Sequence, residues 1–215
     1  MFKTTSALIS TLALVLSASA AALEKPEYEV LYEDGRIEYR LYAPYIVAET
    51  TVAMERSYNS ASNEGFRRLL GYITGDNIAN AKIDMTAPVQ MSMEAKAEEI
   101  AMTAPVQTQA NNDDLQIAFM LPSKFSMLDA PVPADERVSL RQIPGRLMAV
   151  VRYSGRWTDK NRQRYESQLR ESVETAGIEI LSSAESAAYN PPFTPPFLRR
   201  NEIMFEVADY PKADF

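Results

Sequence analysis

Two stretches of this chain carry the side chains most able to meet a ligand. The six residues MTAPVQ occur twice, opening at Met85 and again at Met102. Between the first strands and that repeat, GFRRLLGYITG (65–75) places Phe66, Leu69, Leu70 and Ile73 at i, i+3, i+4 and i+7. That spacing makes one apolar stripe on a helix. The stripe serves either as a core face or as a wall shared with a ligand. Proline forces Ala87 and Ala104 towards extended backbone, and Pro88 and Pro105 belong at a strand edge, end or bulge. The repeat therefore reads as a pair of strand segments joined as a long hairpin. Met and Val of each copy would share one apolar face, closing a sheet, lining a ligand, or both.

What the chain lacks is equally informative. It has no histidine and no cysteine. Ser-His-Asp and Cys-His catalysis are excluded. A transition-metal site could draw only on Asp, Glu, Met or Tyr, which argues against zinc. Glu94, Glu98 and Glu99 read as a solvated loop, and no acidic pair stands at catalytic spacing. A hydrolase using carboxylates and tyrosine is the weakest of the functions considered. The ten methionines suit an adaptable binding surface or ordinary core packing.

The 215 residues, 46% hydrophobic and 24% charged, fit one domain or two small halves sharing a core. The N-terminus reads as a signal peptide over 1–20: Lys3, an apolar run over 7–16 and an Ala18-Ser19-Ala20 cleavage signal. The run falls short of the roughly 20 residues a spanning helix needs. The expected mature chain, from 21, is exported, periplasmic or secreted, and has no membrane span. Net charge is −7, one unit more negative once Lys3 leaves, which disfavours nucleic acid and anionic surfaces.

Residues 28–41 alternate around the hairpin signal Asp34-Gly35, and 45–52 forms a further strand. A Ser/Asn cluster over 57–63 starts the first helix, and Gly75 ends it. Strands are expected over 115–121, 138–143, 147–153, near Ala187 and over 202–207. The second helix starts at Thr158, carries Tyr165, Leu169 and Val173, and closes at Gly177. Strand, helix, strand, strand thus occurs twice, in halves of about 28–127 and 136–208 linked through 128–135. The class is α+β with mostly antiparallel pairing. Trp157 is expected under the second helix. NPPFTPPF is expected to be a rigid loop or a proline-rich ligand. Arg199 and Arg200 would form an ion pair with Glu202 or bind an anion.

KIDMTAPV, the second MTAPV, LPSKF (121–125), YNPPFTPPFLRRNEIMFEV (from Tyr189) and the early YEDGRIEYRLYAPYIVAET together resemble the SOUL haem-binding protein family. The resemblance spans nearly all of the mature chain. It implies two β-α-β-β repeats forming a distorted antiparallel barrel flanked by two helices. It also implies non-catalytic binding of haem or another tetrapyrrole in an apolar cleft beside the first helix. The matching positions are Phe66, Leu69, Leu70 and Ile73, with Arg67 and Arg68 for propionates. A histidine ligand proposed in some members is impossible here. Met85, Met102 and Tyr72 are the axial candidates, or the macrocycle binds with no protein ligand. The alternative is a module for another apolar small molecule. A monomer is expected.

Overall fold

The structure is a computed structural model that describes residues 23–55, 57–79, 97–111, 113–191 and 193–212. The expected signal peptide, Met85 and the whole first MTAPVQ copy lie outside the described residues.

β1 (Tyr28–Asp34) and β2 (Ile37–Tyr42) form the expected hairpin, and Gly35 takes the left-handed conformation (φ 59) that the tight turn requires. β3 (Tyr45–Ala53) leads to α1 (Tyr58–Ile73), β4 (Asn77–Ile78), β5 (Val106–Asn111) and β6 (Asp114–Met120). β7 (Val132–Pro133), β8 (Val138–Ile143), β9 (Arg146–Tyr153), α2 (Asp159–Thr175), β10 (Glu185–Ala188) and β11 (Asn201–Glu206) complete the order. α1 begins at Tyr58, within the Ser/Asn cluster expected to start it, and Ser57 caps it by accepting from Ser60 N at 3.2 Å. Its first turn is also held inside, where the Tyr58 hydroxyl meets Thr108 Oγ1 at 2.7 Å. Thr158 caps α2 as expected, accepting from Asn161 N at 3.3 Å.

Nine strands form one antiparallel sheet in the order β1-β2-β9-β11-β10-β5-β6-β3-β8. Its centre is the β5–β10 pair. Outward from there run β6, β3 and β8 on one side and β11, β9 and β2 on the other. The two β-α-β-β units are thus β3-α1-β5-β6 and β9-α2-β10-β11. Each exchanges its leading strand with the other: β2 pairs with β9, and β8 with β3.

That exchange forces the sheet to curl. β2 and β3 are six places apart in the sheet, yet only Ala43 and Pro44 join them. In a flat sheet six spacings of about 4.8 Å would separate them by about 29 Å. Three Cα steps of about 3.8 Å reach only about 11 Å. β8 and β9, also six places apart, are joined by Pro144 and Gly145 alone. The sheet therefore rolls into a half-barrel whose edges are β1 and β8. At this corner a Cβ on Gly145 would lie 3.2 Å from the Tyr42 carbonyl oxygen, so the two connections cross in close contact.

The helices cover one face. α1 packs on β3 and β6 around the fully buried Leu69, Leu115 and Ile117. α2 packs on β9 and β11 around Leu169, Val173, Ile203 and Phe205. Trp157 joins the α1 cluster instead of sitting under α2. The second MTAPVQ copy enters a strand only at Val106, so no two-residue alternation runs through it. Met102 is exposed, while Thr103, Ala104 and Pro105 are all buried.

Gly65 is where α1 comes closest to the sheet. A Cβ there would lie 2.9 Å from Ile117 Cγ1 and nearer still to Cδ1. Gly65→Ala should cost about 1–3 kcal/mol in urea unfolding. Ile117→Val, which removes Cδ1, should shrink that cost. An equal cost in both backgrounds would show that helix–sheet approach is not the cause.

Candidate functional site

α1 divides the residues expected around a ligand. Leu69, Tyr72 and Ile73 are 0%, 1% and 4% exposed and belong to the core. The Tyr72 hydroxyl donates to the Pro131 carbonyl at 2.8 Å, and burial pushes its pKa up to about 12. These three side chains therefore line no open surface, and the Tyr72 hydroxyl is committed to the Pro131 carbonyl. The helix must bury them to cover β3 and β6, which is the ordinary fate of such a stripe. Arg68 is also committed. It donates to Thr50 Oγ1 at 3.2 Å and to the Thr51 carbonyl at 3.1 Å, and pairs with Glu64. The outer flank keeps Phe66, Arg67 and Leu70. Phe66 is half-buried, edge-on to Phe119 at 5.3 Å. Leu70 is half-buried and Arg67 exposed.

Met102 is 44% exposed on a segment tied down on both sides. Ile100 N donates to the Ile73 carbonyl at 2.8 Å, fastening the segment to the end of α1. The Thr103 hydroxyl donates to the Met120 carbonyl at 2.5 Å, and Ala104 N to the Glu24 carbonyl at 2.9 Å. Glu24 and Met120 both line a cleft of about 420 Å³, within the usual range for small-molecule sites. Residues 24–27 form one wall, and Pro44, Tyr45 and Ile46 another. LPSKF contributes Leu121, Pro122 and Phe125, with Met127 just beyond. Ile46, Leu121 and Phe125 also pack in the cluster that contains Leu69 and Tyr72, so the cleft flanks the α1 layer. Lys25 is the one cation of its lining, between the carboxylates of Glu24 and Glu27, of which Glu24 accepts from Ser123 N at 2.7 Å. The sequence reading did not single out this cleft. LPSKF was its one visible signal, and the approach of residues 24–27 from far along the chain was not legible.

The sheet face turned away from the helices carries charge. Arg40 and Glu202 are 1% and 0% exposed and form a two-pronged pair, at 3.0 Å (Nη1 to Oε2) and 3.2 Å (Nη2 to Oε1). Arg40 also bonds Glu38 at 2.8 Å and Tyr42 at 3.1 Å. Tyr189 donates to Glu202 Oε2 at 2.8 Å, and Arg200 Nε to Oε1 at 2.9 Å. The expected Arg200–Glu202 ion pair is thus present, while Arg199 Nε donates to the Thr194 carbonyl at 2.7 Å. Burial alone would raise the Glu202 carboxyl, but Arg40 and Arg200 hold it below the usual carboxylate range. Towards the β5–β10 seam, Arg146 grips Glu185 at 2.8 Å and meets the Tyr45 hydroxyl at 3.2 Å. A smaller polar cavity of about 220 Å³ lies there, lined by Gln107, Gln109, Gln116 and Arg141 among others. Among the described residues, no group of three or more carboxylates is placed to hold a metal ion.

The cleft beside the α1 layer and the doubled β-α-β-β half-barrel define a binding fold, and comparison with known proteins gives its family. Residues 23–206 match the model described as SOUL heme-binding protein, and the chain belongs to that family. Heme-binding protein 1 of Xenopus laevis is 24% identical over 159 residues, covering 73% of this chain and 76% of that protein. Heme-binding protein 1 of Xenopus tropicalis is 23% identical over the same shares. Among solved structures, the EcmrR C-terminal domain superposes with a TM-score of 0.57 at 14% identity, covering 84% of this chain and 99% of that one. The EcmrR–DNA complex gives 0.56 at 14%, covering 81% and 57%. At such identity these structures share the fold alone.

Glu202→Gln would remove the buried carboxylate that Arg40 and Arg200 share, leaving Arg40 only the partly exposed Glu38. Breaking a buried pair in this way costs about 3–5 kcal/mol, read as a lower urea midpoint at neutral pH. Because the folded carboxyl lies below its unfolded value, its contribution is full above about pH 4.3. It is lost as pH falls through the folded value. The acid limb of the stability curve should therefore flatten in the variant. An unchanged limb would mean that Glu202 does not carry it.

Proposed function

We propose that the chain binds haem or a related tetrapyrrole, without catalysis, in the apolar cleft flanking α1 and without a histidine ligand. The family match over 23–206 carries this reading. The cleft supports it chemically. Its walls of proline, Ile46, Leu121 and Phe125 suit the faces of a flat macrocycle, and Lys25 suits a propionate. Arg67 and the flank of Phe66 and Leu70 offer a second cation and further apolar surface on the helix side. With no histidine in the chain, axial ligation would fall to a thioether or a tyrosine. Met127, 41% exposed, lines the cleft, and Met102, 44% exposed, stands on the segment fastened beside it. Without ligation, binding rests on apolar contact and discriminates poorly between haem and a metal-free porphyrin. The leader expected at 1–20 supports an exported protein, periplasmic or secreted.

A second reading, a carrier for another apolar small molecule, is favoured by the absence of histidine. Absorption titration with ferric haem and with protoporphyrin separates the two. We expect a saturable Soret change near one equivalent. A response to haem alone, lost in Met102→Ala or Met127→Ala, identifies an iron ligand; an equal response to both identifies an apolar site. Met127→Glu should weaken binding about tenfold by placing a carboxylate in the cleft. If only Arg67→Glu weakens it, the ligand lies on the helix flank. No saturable change with either porphyrin sinks the tetrapyrrole reading and leaves the second.

A further inference from the structure

The loop from Tyr189 to Asn201 exposes apolar side chains that the binding cleft does not use. Phe193, Phe197 and Leu198 are 86%, 75% and 63% exposed. They do not belong to a loose segment. Thr194 N donates to the Pro191 carbonyl at 3.0 Å, and Leu198 N to the Pro195 carbonyl at 2.9 Å, within a 3-10 turn over Pro196–Leu198. Arg199 Nε bonds the Thr194 carbonyl at 2.7 Å. Gly155 N donates to the Pro196 carbonyl at 2.8 Å, and Asn201 Nδ2 to the Gly155 carbonyl at 3.2 Å, so the loop is fastened to the turn after β9. Arg200, bonded to the fully buried Glu202, anchors its base. Prolines and hydrogen bonds together keep two phenylalanine rings standing in water.

Charge is segregated at the same place. The chain carries −7 overall, yet segments 152–160 and 189–202 hold Arg152, Arg156, Lys160, Arg199 and Arg200 against Asp159 and Glu202, and Glu202 is already paired with Arg200. Arg152, Arg156 and Lys160 are exposed. Net charge argues against a negatively charged surface for the molecule as a whole. The local balance has the opposite sign and would orient the tip towards such a surface. Phenylalanine and leucine beside arginine and lysine are the pairing that suits the interface of an anionic bilayer. A bilayer receives protruding rings without needing a preformed pocket, whereas a protein partner would need a groove shaped to fit them.

We propose that this loop is a membrane-docking tip, which inserts Phe193, Phe197 and Leu198 into the interface of an anionic lipid surface while Arg152, Arg156 and Lys160 meet its headgroups. The proposal does not depend on tetrapyrrole binding. Its test is co-sedimentation of the full chain with phosphatidylcholine vesicles, with and without phosphatidylglycerol. Binding is expected only with phosphatidylglycerol, and salt should weaken it. The double variant Phe193→Ser/Phe197→Ser should bind about tenfold or more weakly, since each ring loses burial in the interface. Its unfolding midpoint should stay unchanged, because both rings already face water. Arg152→Gln/Arg156→Gln should reduce binding and its salt dependence. No binding to phosphatidylglycerol vesicles overturns the proposal, as does binding indifferent to the serine variant. A concentration-dependent dimer in light scattering, abolished by the serine variant, would overturn it by assigning the tip to a second copy of the chain.

Discussion

Two residues cannot carry a chain across six strands of a flat sheet, and most of the architecture follows from that limit. The connections Ala43-Pro44 and Pro144-Gly145 each leave a strand on one side of the sheet and enter a strand on the other. The sheet has to curl until those strands meet. Once curled, it has a face covered by two helices and a face turned in on itself. Both halves are locked because each donates its leading strand to the other. Gly145 makes the crossing possible, since any Cβ there would press on the Tyr42 carbonyl.

The inward face then presents a problem that the sequence resolves with charge. Arg40, Glu202, Arg146 and Glu185 are all largely buried, yet each has a partner of opposite sign, and Arg40, Glu202 and Arg146 make further hydrogen bonds. A buried pair is weak evidence for stability, because desolvation offsets much of the attraction. Its value here is positional. Glu202 takes bonds from β2, from the loop at Tyr189 and from Arg200, so one carboxylate fixes where a strand, a loop and an aromatic ring stand relative to each other. The rigidity of the proline-rich loop begins at that carboxylate.

Much of this was legible in the residues. Alternation over 28–41, the caps Ser57 and Thr158 and the doubled strand-helix-strand-strand order all foretold elements that the structure contains. Sequence spacing identified the stripe Phe66, Leu69, Leu70 and Ile73 but could not say which neighbour would cover it. The sheet covers Leu69 and Ile73, and with them Tyr72, because a helix laid on β3 and β6 buries its central stripe first. Trp157 was misplaced for a related reason: it follows β9 in sequence, but the turn carries it to the α1 cluster. The strand exchange and the wall formed by residues 24–27 depend on long-range pairing, which no local period records.

A histidine-free chain in a family of haem binders also changes what the cleft must accomplish. An imidazole–iron bond would supply directional affinity and select the metal. A thioether is a weaker donor, and bare apolar contact is indifferent to the metal altogether. On the proposed reading, discrimination would come from shape and from Lys25, and a cleft flanked by backbone fastened at Ile100, Thr103 and Ala104 gives a fixed shape. Fixed walls without a metal bond favour reversible loading over tight retention, because preorganisation lowers the cost of binding while each contact stays individually weak. If the proposed reading holds, such a site suits a protein that passes its ligand on better than one that keeps a haem as a permanent prosthetic group.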